Sequence, residues 1–155
     1  MVTQAVAIRP CEERDLAHFE TLGSARHVQY CRDQFARGPA ALAILVAVDS
    51  DDVPVGKVHL DFQDRADEGV AVLIAASVTP PLRGVGIGTD LMRAAETFAC
   101  ERSCRAIVLG VEDSNPDARR LYERLGYWTV AAGDFSYPGA PTPNPGVWMR
   151  KDLEC

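Results

Sequence analysis

Residues Arg83 to Met92, RGVGIGTDLM, place three glycines within five positions, directly after an apolar run and directly before an amphipathic one. A strand that ends in a glycine-rich turn at a helix start aims several backbone N–H groups and the positive helix end at one point. Phosphate and pyrophosphate groups bind such points, and the missing Cβ atoms let them come close. A Walker loop needs Lys and then Ser or Thr after its last glycine, whereas Gly88 is followed by Thr89 and Asp90. A Rossmann fingerprint needs a third small residue, but Gly86-x-Gly88 leads to Leu91 and Gly84-x-Gly86 leads to Thr89. It also belongs near the first strand of its domain, and here about half the chain comes first. A tight turn without a ligand and a third phosphate-binding pattern both stay open on the glycines alone.

The five cysteines, Cys11, Cys31, Cys100, Cys104 and Cys155, are odd in number and scattered, so free thiols are expected. Cys100 and Cys104 stand four apart on a predicted helix and could supply two metal ligands. No second Cys or His pair lies near them, so no metal is expected.

The elements that must position the glycines follow from periodicity. VAIRPCEERDLAHFETL predicts a short strand through Ile8, a break at Pro10, and a helix with Leu16, Phe19, Glu20 and Leu22 near one face. ARHVQYCRDQFARG predicts a second helix stopping at Gly38. Three apolar runs between Ala40 and Val78, parted by DSDD and DRADEG, predict two hairpin connections. Val58, Leu60 and Phe62 alternate with Lys57, His59 and Asp61, which predicts one buried and one more polar face. Val70 to Val78 is apolar almost throughout, as in a strand covered on both sides. Leu91, Met92, Ala95, Phe98 and Ala99 recur at helical spacing before the apolar run RAIVLGV, so the glycines open a crossover between two buried strands. In SNPDARRLYERLGYW, Asn115 stands as N-cap, Pro116 at the first helical position and Gly126 at the stop. Strands are predicted around Trp128 to Ala132 and Val147 to Leu153. The order gives an α/β fold, an α+β sandwich around a mixed sheet.

At 155 residues, with 47% hydrophobic and 25% charged residues, the chain is expected to be a single domain over 1–155. Its apolar stretches fall short of the roughly 20 residues a membrane span needs. No basic region precedes an apolar one at the start, so a cytoplasmic protein without a membrane partner is expected. The net charge of −6, with no basic stripe, argues against a nucleic-acid partner and suits small molecules or basic groups on proteins.

VTPPLRGVGIG, Val78 to Gly88, resembles the acyl-CoA pyrophosphate loop of the GNAT-type N-acetyltransferase superfamily: Arg or Gln, two residues, Gly, one residue, then Gly or Ala. Arg83, Gly86 and Gly88 carry that match, and Val78 and Pro80 stand where the family places a valine and a proline. NPDARRLYERLGYW resembles the family's second signature through Asn115, Ala118, Tyr122, Leu125, Gly126 and Tyr127, one helix and one strand downstream. IRPCEERDL and VWMRKDL resemble its first and last strands, so the likeness spans nearly the whole chain.

The resemblance implies a mixed, mostly antiparallel sheet flanked by helices, with a splayed central pair ending near Val78 and Val111. It implies acetyl-CoA as cosubstrate, held by Ser77 and Val78 along the arm, by backbone N–H groups of Arg83, Gly84, Val85, Gly86, Ile87, Gly88 and Thr89 at the pyrophosphate, and by Asn115. The acceptor would be a primary amine of a small molecule or protein, attacking the thioester directly. Tyr122, a phenol of ordinary pKa about 10, would protonate the departing thiolate. The base would be Glu112, Glu68, or His59 with Asp61. Cys100 or Cys104 as nucleophile is disfavoured by mid-helix apolar spacing. Leu22 to Arg37 and FSYPGAPTPNPG, Phe135 to Gly146, would shape acceptor recognition, and DRADEG could draw in a cation. Family proteins often form homodimers. A CoA-binding or protein-interaction module without turnover is the rival reading, and a nucleotide-binding domain a third.

Overall fold

The three apolar runs between 41 and 78 pair as successive antiparallel strands in a computed structural model that describes residues 7–23, 25–136 and 143–155. These strands are β2 (Leu42–Val48), β3 (Pro54–Asp61) and β4 (Val70–Val78). With β1 (Ala7–Pro10), β5 (Ala106–Glu112), β6 (Trp128–Asp134) and β7 (Pro145–Asp152) they build one seven-stranded sheet in the order β1-β2-β3-β4-β5-β7-β6. Every neighbouring pair is antiparallel except β4 and β5. Pro10 is tolerated in β1 because that strand is an edge.

Helices cover both faces. Helix α2 (Ile87–Glu101) buries Leu91, Met92, Ala95 and Ala99 against Val58, Leu60, Leu73, Ile107 and Leu109, and Tyr122 of α3 (Pro116–Arg124) joins the same core. On the opposite face a 3-10 helix, Glu13–Leu22, and helix α1 (Ala25–Ala36) pack Leu16, Phe19 and Cys31 onto Leu42, Ile44 and Val46. The predicted first helix is thus a 3-10 helix, with Leu16 and Phe19 inward and Glu20 exposed. Asp15 is buried too, held by Arg9 through two hydrogen bonds of 2.7 and 2.9 Å, and it bonds the Glu12 N–H as part of a capping box.

Three expectations need correction. The alternating strand β3 has no solvated face: Lys57 and His59 are fully buried beneath α1 and the 3-10 helix. Strand β4 is covered only from Val70 to Leu73, and beyond that it is partly open, because β5 turns away from it. The cysteines are not all free, since Cys100 near the end of α2 is joined to Cys155. That bridge closes a loop of 55 residues, which removes about 4 kcal/mol of chain entropy from the unfolded state. Cys11, Cys31 and Cys104 are free thiols.

Candidate active site

The sheet opens where β4 and β5 part. Their parallel pairing runs from Val70 and Ala106 to Leu73 and Leu109 and then stops, although β4 continues to Val78 and β5 to Glu112. From Ile74 to Val78, β4 is paired only on its β3 side, leaving the other backbone edge open. The departure is assisted by a bulge: Lys57 pairs with Ser77 and His59 with Ile74, so β4 carries an extra residue there, and Ala75 adopts a φ of 54°. Lys57 Nζ donates to the Ala75 carbonyl at 2.9 Å, fixing that strained residue.

The glycine loop lies at the same end of β4. Gly84 and Gly86 have φ of 79° and 96°, a region that L side chains rarely adopt, and no atom lies within 4 Å of where a Cβ would stand at either. Gly86 is the N-cap of α2 and accepts from Asp90 N–H at 3.0 Å, the first amide of the helix to be engaged. The six preceding N–H groups, Gly84 through Thr89, have no hydrogen-bond partner among the described residues. The Arg83 N–H differs from the expectation, being bonded to the Pro80 carbonyl at 3.2 Å, while its side chain clamps the Val78 carbonyl at 3.0 Å. A run of free amides at the positive end of a 15-residue helix is an anion cradle.

A cleft of about 650 Å³ joins this loop to the gap, lined by Ser77, Val78, Arg83, Gly84, Gly86, Gly88, Thr89 and Asn115 among the expected residues. Val85 projects outward and Ile87 is buried, so both can contribute only backbone. The Ser77 hydroxyl is buried with no partner among the described residues. A second cavity of about 210 Å³ occupies the gap itself. The two share Ala76, Asn115, Ala118 and Tyr122, so the opening passes through the sheet at Tyr122. These features fit an acyl-CoA: free amides for a pyrophosphate, an open strand edge for an amide-bearing arm, and an orphaned hydroxyl beside it.

Tyr122 is 8% exposed, packed edge-on to Tyr127 at 6.0 Å, and burial raises its pKa. Tyr127, in the same motif, is structural: its hydroxyl donates to Glu96 at 3.0 Å, and Lys151 donates to that carboxylate at 2.9 Å. Asn115 caps α3, its side chain accepting from Ala118 N–H at 3.3 Å, and it also lines both cavities. Glu112 borders the gap and accepts from the Ser114 hydroxyl at 3.3 Å. Glu68 is not brought to the cleft. It lies before the opposite end of β4, about 26 Å of strand from Val78, and is ion-paired with Arg65 at 2.8 Å.

His59 and Asp61 are also poor bases. Desolvation, reinforced by the Lys57 charge, lowers the His59 pKa to about 2, and Asp61 is ion-paired with Arg37 at 3.0 Å. Lys57 itself was missed by sequence reasoning. Burial lowers its pKa to about 8, and its Nζ lies 3.1 Å from His59 Nε2 as well as bonding Ala75. The Phe135 ring lies over Gly110, which lines the gap, and the Trp148 ring lies 5.1 Å from it, against Gly133. The expected acceptor loop is described only at 135–136 and 143–146; its centre, 137–142, lies outside the described residues. Among the described residues no group of three His, Cys, Asp or Glu could hold a metal ion, and no helix is long and apolar enough to cross a membrane.

Known proteins resemble this chain in sequence and fold. The Acetyltransferase (GNAT) family matches residues 9–127. An uncharacterised N-acetyltransferase of Methanocaldococcus jannaschii is 42% identical over 62 residues, 39% of this chain and 40% of that protein, so the chain spans less than half of that relative's length. An aminoglycoside N(6')-acetyltransferase of Klebsiella aerogenes is 28% identical over 137 residues, covering 80% of this chain and 90% of its own. A chimeric spermidine N-acetyltransferase from Vibrio cholerae has the same fold, with a TM-score of 0.78 at 18% identity over 95% of both chains. The glycine cradle, the parted strands and a family match over most of the sequence agree, and the chain belongs to the GNAT acetyltransferase family.

Proposed function

We propose that residues 1–155 act as one domain that moves an acetyl group from acetyl-CoA to a primary amine of a small molecule or protein by direct attack. The observation that carries this reading is the run of six free amides, Gly84 to Thr89, opening onto a gap through the sheet beside Tyr122. Those amides bind the pyrophosphate, and the open edge of β4 from Ile74 to Val78 bonds the arm as an added strand. When bound, acetyl-CoA supplies the activated thioester. A backbone N–H of that β4 edge then faces the acyl oxygen as charge develops on it, a contact worth about 3 kcal/mol to the barrier. The amine nitrogen forms its bond to the acyl carbon as the carbon–sulfur bond breaks. Glu112, directly or through one water, receives the proton the amine loses, and Tyr122 gives its phenolic proton to the leaving sulfur. Burial raises the Tyr122 pKa, so the phenol keeps the proton it is to give above neutral pH as well as at it. Glu68 has no part. Cytoplasmic residence, from the sequence pattern, and a homodimer, from the family resemblance, belong to the same proposal.

The test is release of CoA thiol in the presence of the protein, acetyl-CoA and each of a panel of primary amines, with the acetamide identified by mass spectrometry. Thiol release matched by acetamide is expected. Acetyl-CoA binding with no acetamide from any amine would replace the transferase by a CoA-binding module.

A further inference from the structure

The gap between β4 and β5 has a second wall that no motif announces. Gly110, Gly133 and Gly146 stand on the neighbouring strands β5, β6 and β7, and a Cβ at any of them would collide with an aromatic ring. At Gly110 it would lie 2.2 Å from Phe135 Cε1, at Gly146 2.3 Å from the Val111 carbonyl oxygen and 2.8 Å from the same ring, and at Gly133 2.9 Å from Trp148 Nε1. The three bare backbones therefore form a floor on which Phe135 lies close to the sheet, with Trp148 tilted against it at 5.1 Å. Gly110 also lines the 210 Å³ cavity, so the ring flanks the place where an acceptor would meet the thioester.

The chemistry of that cavity is uneven. Among its lining side chains Leu73, Ile74 and Val111 are apolar, Asn115 and Tyr122 are polar, and Glu112 is the only carboxylate among the described residues. Across the Ala75 bulge lies Lys57, whose amine stays protonated below about pH 8 and would repel a second positive charge. One carboxylate can receive one ammonium group; the Ile74 and Val111 side chains and a ring face beside them can receive a hydrocarbon body. Resting on the transferase reading above, we propose that Phe135, braced by Trp148, is a specificity-determining residue that selects as acceptor a primary monoamine carried on an apolar or aromatic body. A polyamine or an aminoglycoside would bring further charges that find no carboxylate there.

Three probe amines separate the classes: 2-phenylethylamine, spermidine and kanamycin, each assayed with acetyl-CoA. The expected kcat/KM for 2-phenylethylamine is roughly tenfold above the other two. Phe135→Ala is expected to raise its KM roughly tenfold while leaving the acetyl-CoA Kd within about twofold, and Phe135→Tyr to restore it. A measurement independent of turnover uses Trp128→Phe, which leaves Trp148 as the one indole. With CoA present, 2-phenylethylamine should change its fluorescence saturably, and should not do so when Phe135→Ala is added. Preference for spermidine or kanamycin, or a 2-phenylethylamine KM unmoved by Phe135→Ala, would overturn the assignment while leaving the transferase intact. Acetyl-CoA binding without turnover of any amine would instead bring down the transferase reading, and the role of Phe135 with it.

Discussion

On the function proposed above, the two faces of the sheet meet different recognition problems with different materials. On the face carrying α2 and α3, the site is made of backbone: six free amides, two glycines at positive φ and an open strand edge. On the face carrying the 3-10 helix and α1, it is made of side chains: Lys57 on the Ala75 carbonyl, His59 beside it, and farther along the sheet Glu112, Phe135 and Trp148. A backbone site constrains sequence tightly, since only glycine adopts those angles cheaply. A side-chain site is free to change with the acceptor while the sheet beneath it stays the same.

Tyr122 sits where the two faces meet, so its loss gives the largest effect on rate. In Tyr122→Phe, kcat is expected to fall about a hundredfold, as for loss of a general acid, with the acetyl-CoA Kd changed less than about twofold. Equal loss in turnover and binding would make Tyr122 a packing residue of the α3 core and leave the meeting point without its acid.

A smaller effect tests the side-chain face. Lys57 releases its proton near pH 8 when folded, against the ordinary value of 10.5. Above pH 8 the unfolded chain therefore holds the additional proton, and stability rises with pH. The thiols of Cys11, Cys31 and Cys104 act in the opposite sense over the same range, because burial raises their pKa values. His59, held neutral, contributes nothing in that range. Between pH 8 and 9 the wild type should gain about 1 kcal/mol of stability to urea relative to Lys57→Met. The same pH dependence in both proteins would assign the change to other groups.

How much of this was legible in the sequence follows the same division. The hairpins, the crossover and the α3 helix were readable because apolar periodicity, Asn115, Pro116 and Gly126 are local signals. The glycine cradle was readable because its residues are contiguous. The buried face of β3 was not: Lys57 and His59 alternate with Val58 and Leu60 as solvated residues do, and only the packing of α1 and the 3-10 helix reveals their burial. Glu68 passed as a base because a sequence does not say which end of β4 the gap opens from. The Cys100–Cys155 bridge depends on where the chain after β7 returns, 55 residues away from its partner. Phe135 was bracketed within a segment, but its seat on Gly110, Gly133 and Gly146 exists only once three strands are side by side.

Calorimetric titration of acetyl-CoA into the wild-type protein and into Gly86→Glu tests the backbone cradle most directly. The substitution forces a side chain onto a residue at φ 96° and sets a carboxylate among the free amides, and a melting curve confirms that the variant is folded. Saturable binding to the wild type with none to the folded variant is the predicted result. Equal binding to both, or none to the wild type, would contradict the account.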